Sequence, residues 1–109
     1  NSDLKYYSDG TENQCGMYDG KPLYRRMLTT TITSSLFDIQ HLIPQVDKIF
    51  VEMGWLYEDS IQARIPVGFY NGSEYFSAFT NATKLYVRAS SSYTGKNIFV
   101  IVNYTKTTD

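Results

Sequence analysis

The chain has 109 residues, ten Lys and Arg against eleven Asp and Glu, a formal charge of −1, one His, one Cys and ten Tyr. The length fits one domain, and the charge balance excludes the basic footprint of a nucleic-acid binder or a polybasic membrane patch. The lone Cys15 cannot close an internal disulfide, and no apolar run approaches the roughly 20 residues of a membrane-spanning helix.

Residues 1–14 are polar and turn-rich, with Asp9-Gly10 as a turn signal. They are expected to form an extended N-terminal arm linking to something upstream. The chain opens at Asn1 rather than Met, as a fragment or processed product would. Asp19-Gly20-Lys21-Pro22 is a stronger turn, since Gly20 can supply a positive φ and Pro22 pushes Lys21 towards extended geometry. With Met17-Tyr18 before it and Leu23-Tyr24 after it, this segment predicts a hairpin.

Residues 23–33 read as a long strand. Arg25 and Arg26 fall on opposite faces, which predicts an edge strand or a wet rim. Residues 35–50 have two readings. Leu36, Ile39, Ile43, Val46 and Phe50 recur at helical spacing, but Pro44 interrupts them. The preferred alternative is a loop through Pro44, a turn near Gln45-Val46-Asp47, and a strand in which Ile49, Val51 and Met53 share a face.

Ile61, Ala63, Ile65 and Val67 alternate with polar residues, and Pro66 places that strand near an edge. Asn71-Gly72 is a tight-turn signal. Tyr75–Phe79 and Lys84–Ala89 read as further strands, the latter with Leu85 and Val87 on one side. Residues 90–96 form a connector with Gly95 at its tip.

The last strand runs from Asn97 to Tyr104. One face carries Ile98, Val100, Val102 and Tyr104, and the other carries Phe99 and Ile101. Side chains alternate across a strand, so this one needs cover on both sides. In so short a chain that cover is expected from identical neighbours. Ile98, Phe99 and Ile101 are therefore candidate oligomer-interface residues. Many short strands separated by small-residue turns, with few Ala, predict an all-β fold: a small β-sandwich of antiparallel strands over residues 15–109.

Three segments carry a resemblance. Asp19-Gly20-Lys21-Pro22-Leu23-Tyr24-Arg25-Arg26 resembles a "DGKPxYxK" hairpin. His41-Leu-Ile-Pro-Gln-Val-Asp47-Lys48-Ile49 resembles an "HxIxNxDKI" turn into a strand. The close, Tyr93-Thr94-Gly95 followed by Asn103-Tyr104-Thr105-Lys106-Thr107-Thr108-Asp109, resembles a terminal strand with a "YTKTTD" ending. Together they are similar to the small C-terminal β domains of bacteriophage tail fibre, baseplate and other virion proteins. The chain departs from that pattern at Gln14–Tyr18, where a thiol stands in place of a tryptophan segment, and at Pro44.

The resemblance implies a distal C-terminal trimerising module and a virion location in a tail or other external appendage, assembled in the bacterial host cytoplasm. It implies other virion proteins as partners through the upstream region, and host attachment, to a cell-surface polysaccharide or protein, as the accompanying role. It transfers no substrate.

Candidate chemistry is sparse. His41 has no second histidine for a dyad or a His-rich metal site, and reads as a turn-packing residue. Cys15 reads as a buried thiol, with an intermolecular bridge or a reactive nucleophile as alternatives. The adjacent Glu58 and Asp59 face opposite ways on a strand, against the paired geometry of a glycosidase. No catalytic residue, metal or cofactor is expected. Sequons at Asn71, Asn81 and Asn103 are taken as chance matches. The aromatic residues at strand ends and turns, Trp55, Tyr57, Tyr70, Tyr75 and Tyr93, with Asn71 beside them, are the candidate ligand contacts. Such rings offer an apolar face and a polar edge suited to recognition, against the competing reading that they fill the core or an interface.

Overall fold

A computed structural model of the chain describes residues 10–58 and 63–109. Its strands are β1 (Asn13–Tyr18), β2 (Lys21–Thr31), β3 (Leu36–Gln40), β4 (Val46–Glu58), β5 (Ala63–Pro66), β6 (Phe69–Tyr70), β7 (Tyr75–Thr80), β8 (Lys84–Ala89) and β9 (Asn97–Lys106), with a 3-10 turn at Ser91–Tyr93. They form a five-stranded sheet, in the order β1-β2-β9-β4-β5, and a four-stranded sheet, in the order β3-β8-β7-β6. Every pairing is antiparallel. The fold is all-β, a small sandwich, as the strand pattern predicts.

The core lies between the sheets. Leu28, Leu56, Ile98, Val100, Val102 and Tyr104 come from the five-stranded sheet, and Phe76, Leu85, Val87 and Ala89 from the other. Period-two alternation explains β8 directly, since Leu85 and Val87 are fully buried while Arg88 is exposed. Tyr93 closes the core from the 3-10 turn.

The expected hairpin is present. Asp19 and Gly20 both take positive φ, 53° and 82°, between β1 and β2, the pattern of a type I′ hairpin turn. Asn71 builds the β6–β7 turn by accepting hydrogen bonds from the Ser73 and Glu74 backbone amides at 3.2 and 2.8 Å.

Four expectations are corrected. First, β2 is an interior strand, flanked by β1 and β9. Its arginines are neutralised inside the fold: Arg25 bonds Glu52 at 2.9 Å, and Arg26 bonds Glu12 at 3.2 Å. Second, Leu36–Gln40 is a strand rather than loop or helix, with Phe37 and Ile39 turned to the core. Third, a bulge between Val51 and Met53 breaks the alternation of β4. Ile49 and Val51 pack on the core while Met53 is exposed on the opposite face, as an extra residue in one strand requires.

Fourth, β9 is the central strand of its sheet, and the chain's own second sheet covers its inner face. Ile98 is enclosed there, so no neighbouring copy reaches it while the sandwich is closed. On the other face Ile101 is 1% exposed, with Met27 and Met53 beside it in register, so it too offers almost no surface to a neighbouring copy. Phe99 is half-buried.

The expected arm lies partly outside the described residues, as does Ile61. Its last residues belong to the sandwich, because β1 begins at Asn13 and Glu12 is anchored. Glu12 accepts hydrogen bonds from Tyr104 Oη, Arg26 Nη2 and Lys106 Nζ.

Candidate functional site

Both sheets turn a decorated face away from the core, and the candidate aromatics divide between them. On the five-stranded sheet the outward residues of β9 are Phe99, Ile101 and Asn103. They register with Thr29, Met27 and Arg25 of β2 and with Trp55, Met53 and Phe50 of β4. The centre of this face is polar and tightly bound. Glu52 Oε1 accepts from Arg25 Nε and from Asn103 Nδ2, both at 2.9 Å, and the Cys15 thiol donates to Asn103 Oδ1 at 3.2 Å. The bulge that displaces Met53 is what lets β4 present Glu52 here.

Burial pushes the Cys15 thiol above its usual range, opposed by the charge of Arg25. A protonated thiol is a poor nucleophile. Asn103 is buried within this cluster, so its sequon is closed to modification.

Around that polar centre lies apolar surface. Trp55 stacks on Phe99 with ring centroids 5.7 Å apart, and the Arg64 guanidinium sits 5.3 Å over Trp55. Tyr18 and Phe50 meet at 5.9 Å. Tyr18, Phe50, Met53 and Tyr57 are each 41–45% exposed, and Met17 is 63% exposed. Trp55 and Tyr57 thus belong to one face with Phe99 and Ile101. The sequence pattern singles out Trp55 and Tyr57 as ligand contacts and Phe99 and Ile101 as interface residues, and gives no sign that Phe50, Met53 and Tyr18 share their face. Phe50 fits the helical spacing of residues 35–50, and simple alternation puts Met53 on the face of Ile49 and Val51.

On the four-stranded sheet, Tyr70 and Tyr75 are paired in register on β6 and β7. Arg88 lies 5.9 Å from the Tyr75 ring centroid. Phe79 and Tyr86 stack nearly parallel, with centroids 4.9 Å apart. A shallow groove of about 460 Å³ is lined by Phe69, Tyr70, Tyr75, Ser77 and Arg88. The structure therefore brings Tyr70, Asn71 and Tyr75 together at one hairpin, apart from Trp55 and Tyr57. The Asn71 side-chain oxygen, Oδ1, is committed to the turn. Tyr93 is 3% exposed and packs in the core, so it presents no surface to a ligand.

His41 is a loop staple. Its Nδ1 accepts from the Ile43 amide at 3.1 Å, and Nε2 donates to the Asn81 carbonyl at 2.9 Å, which fixes the proton on Nε2. The loop needs such a tie, because Leu42 and Gln45 both adopt left-handed backbone. Among the described residues, no cluster of three or more His, Cys, Asp and Glu side chains could hold a metal ion, and no helix is long and apolar enough to cross a membrane.

The Glu12 carboxylate binds three side chains at once. Burial would raise its pKa, but hydrogen bonds from Lys106, Tyr104 and Arg26 outweigh burial and hold it below its ordinary value. The Tyr104 hydroxyl is pushed well above its usual range, by burial first and then by the bond to Glu12.

Compared with family models, with curated proteins and with solved structures, the chain finds no match.

Proposed function

We propose that the chain is an assembly module of a bacteriophage virion protein: the distal, C-terminal, trimerising domain of a tail fibre or baseplate protein. It would act by binding rather than by catalysis, in the tail or another external appendage, and would be put together in the host cytoplasm. The observation that carries the reading is the outer face of the five-stranded sheet, where the Trp55–Phe99 stack, the Tyr18–Phe50 pair and half-exposed Met53 and Tyr57 border the Arg25–Glu52–Asn103 cluster. Exposed large apolar side chains set beside polar groups in this way fit an interaction surface. Aromatic, Met and Arg side chains are the types enriched where proteins meet. Identical copies related by closed symmetry are the simplest occupant. The "DGKPxYxK", "HxIxNxDKI" and "YTKTTD" resemblances add the virion context.

Sedimentation equilibrium tests the reading. The wild type is expected at three times its 12.5 kDa chain mass at micromolar concentration. Met53→Glu, which places a charge on the exposed rim without touching the core, is expected to dissociate it. A folded wild-type monomer overturns the reading. A second reading, a receptor-binding module for a host bacterial surface glycan, is favoured by the separate aromatic face of the four-stranded sheet. The two are compatible, since weak sites gain strength when repeated around an axis.

A further inference from the structure

The groove on the four-stranded sheet has a chemistry of its own. Tyr70 is 72% exposed and Tyr75 stands beside it in register. Flat, partly apolar rings at a surface suit the C–H face of a pyranose ring. Arg88 lies against the Tyr75 ring and is itself exposed. A guanidinium resting on an aromatic ring keeps its N–H fork free at the edge, in the geometry that takes a carboxylate through two parallel hydrogen bonds.

Two carboxylates on neighbouring segments have other partners. Glu74 accepts from the Ser92 hydroxyl at 3.1 Å, and Asp38 pairs with Lys84 at 3.5 Å. Among the described residues, no carboxylate pairs with Arg88. The groove thus joins a ring platform, the Ser77 hydroxyl and a cation with no ion-pair partner among the described residues, within about 460 Å³.

We propose that this groove binds an acidic oligosaccharide bearing uronic-acid residues, with a sugar face on Tyr70 and Tyr75 and a carboxylate on Arg88. The proposal rests on the receptor-binding reading and names the ligand class for it. It is independent of association through the other sheet.

The test is amide NMR titration of the full chain with trigalacturonate, a hyaluronate tetrasaccharide, neutral maltotriose and a glycerol-phosphate teichoic acid, with binding to encapsulated cells measured in parallel. Shifts confined to Tyr70, Tyr75, Ser77 and Arg88 with the uronates support the proposal. So do a roughly ten- to hundredfold loss of affinity in Arg88→Ala and partial retention in Arg88→Lys. Tyr70→Ala supplies a second variant at an exposed position. Uronate binding that ignores Arg88→Ala, or binding of maltotriose or the teichoic acid alone, overturns the proposal and leaves the receptor reading standing. Silence with every saccharide and every cell surface overturns both.

Discussion

Gly54→Ala is the sharpest test of how the two sheets are joined. Gly54 sits on β4 opposite Val100 of the central strand. A Cβ there would lie 2.8 Å from Val67 Cγ2, 3.0 Å from the Phe99 carbonyl oxygen and 3.3 Å from Val100 Cγ2. Carbon atoms pack best at about 3.5–4.0 Å, so all three neighbours must yield. The Phe99 carbonyl belongs to the centre of the sheet and cannot shift without straining the ladder. Val67 is held by the hydrogen bond from its own amide to the Gly54 carbonyl at 2.9 Å.

Overpacking of this sort costs about 1–3 kcal/mol. Removing a glycine from the unfolded chain offsets about 0.4–1 kcal/mol of that. The expected net loss is about 1–2 kcal/mol, or on the order of 4–12 °C in Tm for a domain of this size. Urea denaturation at fixed protein concentration reads it as a lower midpoint with unchanged slope; the concentration must be held because association would add to apparent stability. Gly20→Ala is the control, since its φ is 82° and no atom lies within 4 Å of the added methyl. Its cost comes from left-handed backbone alone, so Gly20→Asn should recover much of it, whereas Gly54→Asn should be worse than Gly54→Ala. Wild-type stability in Gly54→Ala would refute the packing described here.

Two further outcomes follow from the side-chain networks. Glu12 has a depressed folded pKa, so its contribution to stability is full above the ordinary value of 4.5 and is lost as pH falls through the lower folded value. Urea midpoints from pH 6 down to pH 3 should therefore fall more steeply in wild type than in Glu12→Gln, and parallel curves would contradict the role given to Glu12. His41→Ala removes the acceptor for the buried Ile43 amide and the donor to Asn81, which should cost about 1–3 kcal/mol. A change under about 0.5 kcal/mol in denaturant would show that the loop does not depend on the ring.

Strands whose faces are set by local alternation were legible from the sequence. Leu85 and Val87 define β8 unaided, and Asp19-Gly20 and Asn71-Gly72 mark their turns. What misled was settled by distant partners. Arg25 and Arg26 made β2 look like an edge, because Glu52 and Glu12, which neutralise them, lie on other segments. The alternation of Ile49, Val51 and Met53 hides a bulge that only the pairing with Val102 and Ile101 reveals. Leu36–Gln40 is short enough that its apolar residues fit helical and strand periods alike, and pairing with β8 decides between them. The two-sided apolar character of β9 demands cover, and the chain itself supplies most of it: the second sheet covers the inner face, and Ile101 on the outer face is 1% exposed beside Met27 and Met53. Of the candidate ligand residues, Tyr93 misled most, because an aromatic ring in a serine-rich connector gives no sign that it folds back into the core.

The chain's single tryptophan, Trp55, lies on the face proposed to join copies, stacked on Phe99. Acrylamide quenching of its fluorescence across a dilution series, set beside sedimentation, tests that assignment most directly. Quenching should be weak where the protein sediments as an oligomer and should strengthen on dilution in step with dissociation, with Met53→Glu fully quenched throughout. Quenching that stays constant while the mass changes, or that is already strong in the oligomer, would place the contact between copies on some other surface.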